Sequence, residues 1–267
     1  MSSTSPETVP ARTPRRITAG EVFGEILLTV GVLLLLFAYY ESFWTNVKSQ
    51  KLQETAQTQL EQQWVNPRVA STPELGDAFA RMYIPAFGSD YQFAIIEGVD
   101  EQALLAGPGR YPDTQLPGEP GNFAVAGHRV GKGAPFNDLG RLAACDAIVV
   151  ETQRQWVTYR VLPMTTDPAQ RAQEIAPCIG GEAAQRVTGG DYAHVLGRHI
   201  TTPNDVSVIN PVPETDMVEV AEGLEGMITL TTCHPQFSNA ERMIVHAVQT
   251  EAVDKPAGIP AAMTEVS

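Results

Sequence analysis

Residues 229–247 read TLTTCHPQFSNAERMIVHA. A β-branched and apolar run, Thr229-Leu230-Thr231-Thr232, leads into Cys233, and a second, Met243-Ile244-Val245, begins directly after Arg242. The pattern predicts two adjacent strands joined by a short turn, which brings Cys233 and Arg242 to neighbouring strand ends. A thiolate is the strongest common side-chain nucleophile near neutral pH, and an arginine is a fixed cation able to bind an oxyanion. The pair lacks a proton carrier. Of the five histidines, His234 adjoins Cys233, but neighbours on an extended chain point to opposite sides, so it is a poor partner. His246 reads as structural within the last strand, and His194 and His199 fall in a long polar connection. His128, in Ala126-Gly127-His128-Arg129, sits where a strand meets a glycine-containing turn, with room for a substrate beside it.

The remainder of the chain sets where such a site would work. At 267 residues it can hold one ordinary domain with extra segments. The net charge of −13 argues against general nucleic-acid binding, which needs clustered Lys and Arg. Residues 1–21 are polar and rich in Ser, Thr and Pro, and are expected to be disordered. Residues 22–40, VFGEILLTVGVLLLLFAYY, carry only Glu25 as a charge, and their length suits a bilayer-spanning helix of roughly 20 residues. Tyr39, Tyr40, Phe43 and Trp44 form an aromatic belt at the far end. Arg12, Arg15 and Arg16 before the span, against Lys48 and Lys51 after it, favour a cytoplasmic N-terminus and an external remainder. No small-x-small cleavage site follows, so a retained anchor is expected rather than a cleaved signal peptide.

Residues 41–78 are expected to form a polar helical stalk and linker, with Leu52, Ala56 and Leu60 as a thin apolar stripe and Asn66-Pro67 as its end. This reads as a solvated spacer. Between residues 79 and 253 short Val-, Ile-, Tyr- and Phe-rich runs predict eight strands, at 81–86, 93–97, 122–126, 147–151, 156–162, 207–210, 227–232 and 242–250. Single helical turns are expected at 101–105 and 135–142. So many short strands with few helices suggest a closed barrel or a sandwich. Residues 163–206 form a long polar connection of the kind that walls or lids a site. Residues 254–267 are expected to be a disordered tail. Three cysteines lie outside the span. A pairing of Cys145 with Cys178 would leave Cys233 reactive, whereas two buried free thiols are the alternative.

These residues resemble the sortases, cysteine transpeptidases of Gram-positive bacteria. The carriers are the TLxTC strand ending at Cys233, Arg242 at the start of the next strand, and His128 upstream. Residues 107–129 (GPGRYPDTQLPGEPGNFAVAGHR), 133–139 (GAPFNDL) and 231–247 look like the class E group of actinobacteria, and the likeness runs from about residue 83 to 248. It implies a mainly β fold: a closed eight-stranded sortase-like barrel with short helices, preceded by one transmembrane helix.

The resemblance also implies a function. Cys233 attacks the threonine carbonyl of an LAxTG- or LPxTG-like sorting signal, His128 is general acid and then base, and Arg242 stabilises the oxyanion or holds the peptide. Thr232 lines the peptide groove, and Tyr111 stands where class E enzymes carry a tyrosine linked to LAxTG preference. Partners would be secreted proteins bearing the signal and a lipid-linked peptidoglycan precursor amine, at the outer face of the cell membrane. No metal or organic cofactor is expected; Cys178, His194 and His199 match no strong ligand spacing. Two readings compete. A hydrolytic cysteine peptidase would use water as acceptor. A pilus polymerase would carry an Asp-Pro-aromatic lid, and Asp77-Ala78-Phe79 lacks the proline. The segment 165–205 is longer than a typical class E connection.

Overall fold

The computed structural model describes residues 18–40, 44–65 and 72–265. The expected disorder at 1–17, the aromatic Phe43 and the Asn66-Pro67 helix stop lie outside them. The chain divides into two units, residues 1–42 and 43–267. In the first, helix α1 (Ala19–Tyr39) starts three residues before the apolar run because a capping box fixes it. Thr18 Oγ1 accepts from Glu21 N–H, and Glu21 reaches back to the Thr18 N–H. None of its residues is buried, and its mean hydropathy of 2.3 marks it as long and apolar enough to cross a membrane.

The second unit is a closed barrel. Its strands are β1 (Ala78–Tyr83), β2 (Gln92–Glu97), β3 (Gly109–Arg110), β4 (Gly121–Ala126), β5 (Ala147–Glu151), β6 (Gln155–Val161), β7 (Arg198–Thr201), β8 (Gly226–His234) and β9 (Glu241–Asp254). The order is β6-β5-β1-β2-β3-β4-β8-β9, and pairing of β6 with β9 closes eight strands into a ring. The ninth, β7, borders the first half of β9 through residues 242–245, while β6 takes its second half. Closure removes the free edges that an open sheet would expose. The interior is filled by alternate residues, among them Met82, Ile95, Phe123, Val125, Ile148, Val150, Tyr159, Ile228, Leu230, Val245 and Ala247. Each such side chain contributes about 1.5–3 kcal/mol by leaving water.

Four sequence expectations are corrected. Residues 207–210 are not a strand: a 3-10 turn forms at Ser207–Ile209. Asp205 Oδ1 accepts from both the Ser207 N–H and its hydroxyl, and such local side-chain bonds compete with a strand ladder. Helix α2 (Thr45–Trp64) is no free spacer, since Ser49, Gln53, Ala56 and Leu60 are buried. Gln53 bridges α2 to the barrel: Nε2 donates to Ala94 O, and Oε1 accepts from Ala94 N at 2.9 Å. The tail docks instead of dangling. Its 3-10 turns at Lys255–Ala257 and Ala261–Thr264 bury Ala262, and the Glu265 carboxylate accepts from Arg160 Nη2 at 2.8 Å.

The fourth correction is the connection after β6, which folds into α4 (Pro168–Ile175), α5 (Gly181–Gly189) and β7; the predicted turn at 101–105 is α3 (Glu101–Ala106). Ile175, Ile179, Val187, Tyr192 and Val195 make a second small core against Leu162, Met227 and Val248 of the barrel wall. At its centre the Arg171 guanidinium is fully buried. Nε donates to Val187 O (2.8 Å), Nη1 to Thr165 O (2.8 Å) and Val195 O (3.0 Å), and Nη2 to Tyr192 O (2.9 Å). One side chain thus satisfies four carbonyls of the insertion, one in α5 and three in its loops. Desolvation lowers its pKa, opposed by Glu174. A disulfide, Cys145–Cys178, ties this insertion to the barrel. Closing a loop of 33 residues stabilises by about 4 kcal/mol in the chain-entropy description.

Arg171→Met is expected to lower the unfolding free energy by about 3 kcal/mol or more, the scale of lost bonds to a charged group. Hydrogen exchange of the detergent-solubilised chain should show α4 and α5 opening first, with β4 and β8 still protected. Unchanged protection of α4 and α5 would refute the hub role.

Candidate active site

The site is set by strand register. β8 pairs antiparallel with β9 so that Cys233 lies directly opposite Arg242. On its other side β8 pairs parallel with β4, with Asn122 beside Met227 through Ala126 beside Thr231. That is a constant offset of 105 residues, the separation of Gly127 from Thr232. Extended two rungs past Ala126, the same offset would set His128 beside Cys233. Interior residues alternate with exterior ones. Phe123, Val125, Ile228, Leu230, Met243 and Val245 belong to the core, so Asn122, Ala124, Ala126, Thr229, Thr231, Cys233, Arg242 and Ile244 form one outer face. His128 continues that face.

The turn carrying His128 is tied down on both sides. Gly127 N–H donates to Thr231 O (3.0 Å), and Phe136 N–H donates to His128 O (3.1 Å). Position 127 must be glycine, because a Cβ there would lie 2.5 Å from the buried Phe136 ring. Thr232, expected to line the groove, instead faces inward at 3% exposure and donates its hydroxyl to Gly127 O at 2.8 Å. Its contribution is to lock β8 against the His128 turn.

Cys233 is the free thiol, half-buried. The Nε2 of His128 is buried and meets no hydrogen-bond partner among the described residues. Burial lowers the His128 pKa below the usual histidine value, Lys132 adds to this, and Glu101 opposes it. The imidazole is therefore neutral at neutral pH. Because the folded pKa lies below the unfolded one, this group costs the fold stability as pH falls through about 6.5. Arg242 turns its Nη1 to the carbonyls of Glu241 (2.9 Å) and Asn239 (3.3 Å), so the guanidinium rests on its own turn beside the thiol. Tyr111 OH shares a hydrogen bond with Thr231 Oγ1 at 3.0 Å, two residues from Cys233 on the same face. The loop behind Tyr111 is held by a buried pair in which Arg110 donates to Glu97 at 2.7 and 2.8 Å.

Arg129 was missed by sequence reasoning. Its Nη1 donates to the backbone carbonyl of Cys233 (3.4 Å) and lies against His234 Nδ1. It thus cross-links the His128 turn to the thiol strand and occupies His234, the histidine that adjoins Cys233 in sequence. Its position directly after His128 was the one available signal.

The sortase domain family model matches residues 82–250. The chain belongs to the sortase family. It is 32% identical over 258 residues to the sortase SrtE1 of Streptomyces coelicolor, covering 92% of this chain and 62% of that one. The chain thus spans less than two thirds of that relative's length. Among solved structures, the SrtF sortase from Corynebacterium diphtheriae is 64% identical, with TM-score 0.72 over 75% of this chain and 98% of that chain. Sortase E1 from Streptomyces coelicolor, solved with a tripeptide in its active site, is 28% identical, with TM-score 0.52 over 72% of this chain and 100% of that one. The Streptomyces relatives agree with the class E resemblance, and both solved structures agree with the sortase barrel read from the residues.

Two outcomes are expected. In a Cys233→Ala background, proton NMR should give His128 a titration midpoint below about 6.5, and Lys132→Ala should move it up. A midpoint above the usual value would refute the neutral resting imidazole. Arg129→Ala should cut turnover roughly 10- to 100-fold by loosening the turn relative to the thiol, read as kcat with little change in KM.

Proposed function

We propose that this sortase is a membrane-anchored transpeptidase that joins sorting-signal-bearing proteins to a cell-wall peptide amine. What supports this reading is the register that sets Cys233 opposite Arg242 and that, extended two rungs beyond Ala126 and Thr231, leads His128 toward the same outer face. The Cys233 proton passes to His128 as the thiolate forms and attacks the threonine carbonyl of an LAxTG- or LPxTG-like signal. The C–N bond to glycine breaks, the leaving amine takes the proton from His128, and a thioacyl-enzyme remains. The acceptor amine then attacks the thioester, gives its proton to neutral His128, and the thiolate leaves. Arg242, opposite the thiol, binds the oxyanion or the peptide backbone once it swings off its own turn. The lowered His128 pKa supports a neutral imidazole as its resting form.

Tyr111, fixed over Thr231, supports a preference for a small residue in the signal, as in LAxTG. Helix α1 supports an anchor, and Arg12, Arg15 and Arg16 before it favour an N-terminus in the cytoplasm with the barrel outside. Anchoring of surface proteins is favoured over pilus polymerisation. Asp77-Ala78-Phe79 runs into β1, and Phe79 packs edge-on against Phe123, so it forms no lid over the thiol.

The detergent-solubilised chain, offered LAxTG and LPxTG peptides with and without a peptide amine, should yield the amide of the amine joined to the threonine, with LAxTG preferred. Mass spectrometry reads the products. Cys233→Ala should lower turnover by at least about 10⁴-fold, as for removal of other nucleophiles. Equal hydrolysis with and without amine would favour the peptidase instead.

A further inference from the structure

Below the thiol, the same outer face ends in a group of side chains that catalysis does not use. His246 follows Ile244 outward on β9, His199 lies on β7 opposite Ile244, and Glu214 comes from the loop after the 3-10 turn at Ser207–Ile209. One donor atom from each residue lies within 4.8 Å of the other two. His199 Nδ1 is 3.3 Å from Glu214 Oε1, and His246 Nε2 is 3.8 Å from the same oxygen. All three atoms are buried and lack a hydrogen-bond partner among the described residues. His246 itself is 0% exposed. Three polar atoms without a hydrogen bond, converging on one buried spot, are costly unless something occupies it.

A hydrogen-bond chain fixes which nitrogen of His246 faces that spot. Asn122 Nδ2 donates to Val208 O (3.3 Å) and Asn210 O (3.0 Å), so Oδ1 is the atom turned to Thr229. The Thr229 hydroxyl donates to that Oδ1 at 2.8 Å. Having spent its proton, Thr229 Oγ1 accepts from His246 Nδ1–H, 2.8 Å away. Nε2 is left with its lone pair aimed at Glu214 and His199. This is the outer-shell arrangement that orients a metal-binding imidazole. The alternatives nearby are already committed. His194 Nε2 contacts Pro213 O, Asp205 accepts from Thr201 and Ser207, and Cys178 is in the disulfide.

We propose that His199 Nδ1, His246 Nε2 and Glu214 Oε1 bind a divalent transition-metal ion of the zinc class. Two imidazoles with one carboxylate suit zinc, whereas calcium takes oxygen donors only. The His199 and His246 rings stand 5.5 Å apart, and ligation requires His199 to turn until the donors reach zinc-binding distance. The metal fastens the strap of residues 202–217 to β7 and β9, forming the wall at the far end of the groove from Cys233. Glu214 holds a left-handed backbone, φ 61°, to reach in, consistent with a residue kept for its side chain.

The test uses the full chain in detergent with Cys233→Ala, so that the thiol cannot take metal, stripped with chelator and titrated with Zn²⁺ and Co²⁺. One equivalent should bind, Co²⁺ should give visible bands of a nitrogen–oxygen site, and hydrogen exchange of residues 202–217 should slow. His199→Asn and Glu214→Gln should each weaken binding at least about 10-fold, and His194→Asn should leave it unchanged. The metal-free thermal midpoint of each variant shows whether it is folded; should Glu214→Gln unfold, His199→Asn at the half-buried edge decides alone. Ca²⁺ should have no effect. Absence of stoichiometric binding, or equal affinity in His199→Asn, would overturn the proposal.

Discussion

The parallel pairing of β4 with β8 is the constraint on which the site depends. Antiparallel hairpin neighbours such as β8 and β9 find one another locally. β4 and β8 are separated by 105 residues, and nothing local aligns them. Their alignment is enforced by side chains whose misplacement would be costly. Phe123, Val125, Ile228 and Leu230 must all enter the core, and a slip of either strand by one residue would turn its own pair to the outer face. At the end of the ladder the Thr232 hydroxyl on Gly127 O, and Arg129 on Cys233 O, continue the alignment where strand pairing stops. Position and chemistry are therefore coupled through packing. The core that stabilises the barrel is also what brings the imidazole to the thiol.

Much of this was legible in the residues because the carriers are local and periodic. The TLTTC run, Arg242 after a turn and the alternating Val and Ile of β4, β5, β6 and β9 all signal strands by composition. The groove-facing role given to Thr232 failed for a physical reason: adjacent residues on a strand face opposite sides, and Cys233 takes the outer one. β3, with 2 residues, and β7, with 4, exist only as partners for longer strands, so they carry no pattern of their own. The insertion after β6 looked like a polar loop because its organiser is an arginine. Buried Arg171 gathers carbonyls, and no hydropathy pattern marks a residue that works that way. The tail and α2 were misread for a related reason. Each buries only a few small or polar residues, Ala262 in one and Ser49, Gln53, Ala56 and Leu60 in the other, against a surface made by distant segments.

The outer face of β4, β8 and β9 then has three zones. Cys233 and Arg242 occupy one end, where the extended register of β4 leads His128. Tyr111 over Thr231 lies next to them. Beyond it, Asn122, Thr229 and His246 form a polar chain under the strap of residues 202–217. Side chains of the TLTTC strand thus alternate between fixing the barrel inside and building a graded surface outside.

The most direct test of the assembly is a covalent ruler. His128→Cys places a second thiol where the extended register predicts a neighbour of Cys233, and adjacent parallel strands bring such residues within the Cα–Cα range of a disulfide, about 4.4–6.8 Å. Mild oxidation followed by non-reducing peptide mapping should yield a 128–233 cross-link, while Arg129→Cys, on the opposite face, should leave Cys233 free. A cross-link formed equally well from position 129, or none from position 128 while Cys233 remains alkylatable, would contradict the register on which the site is built.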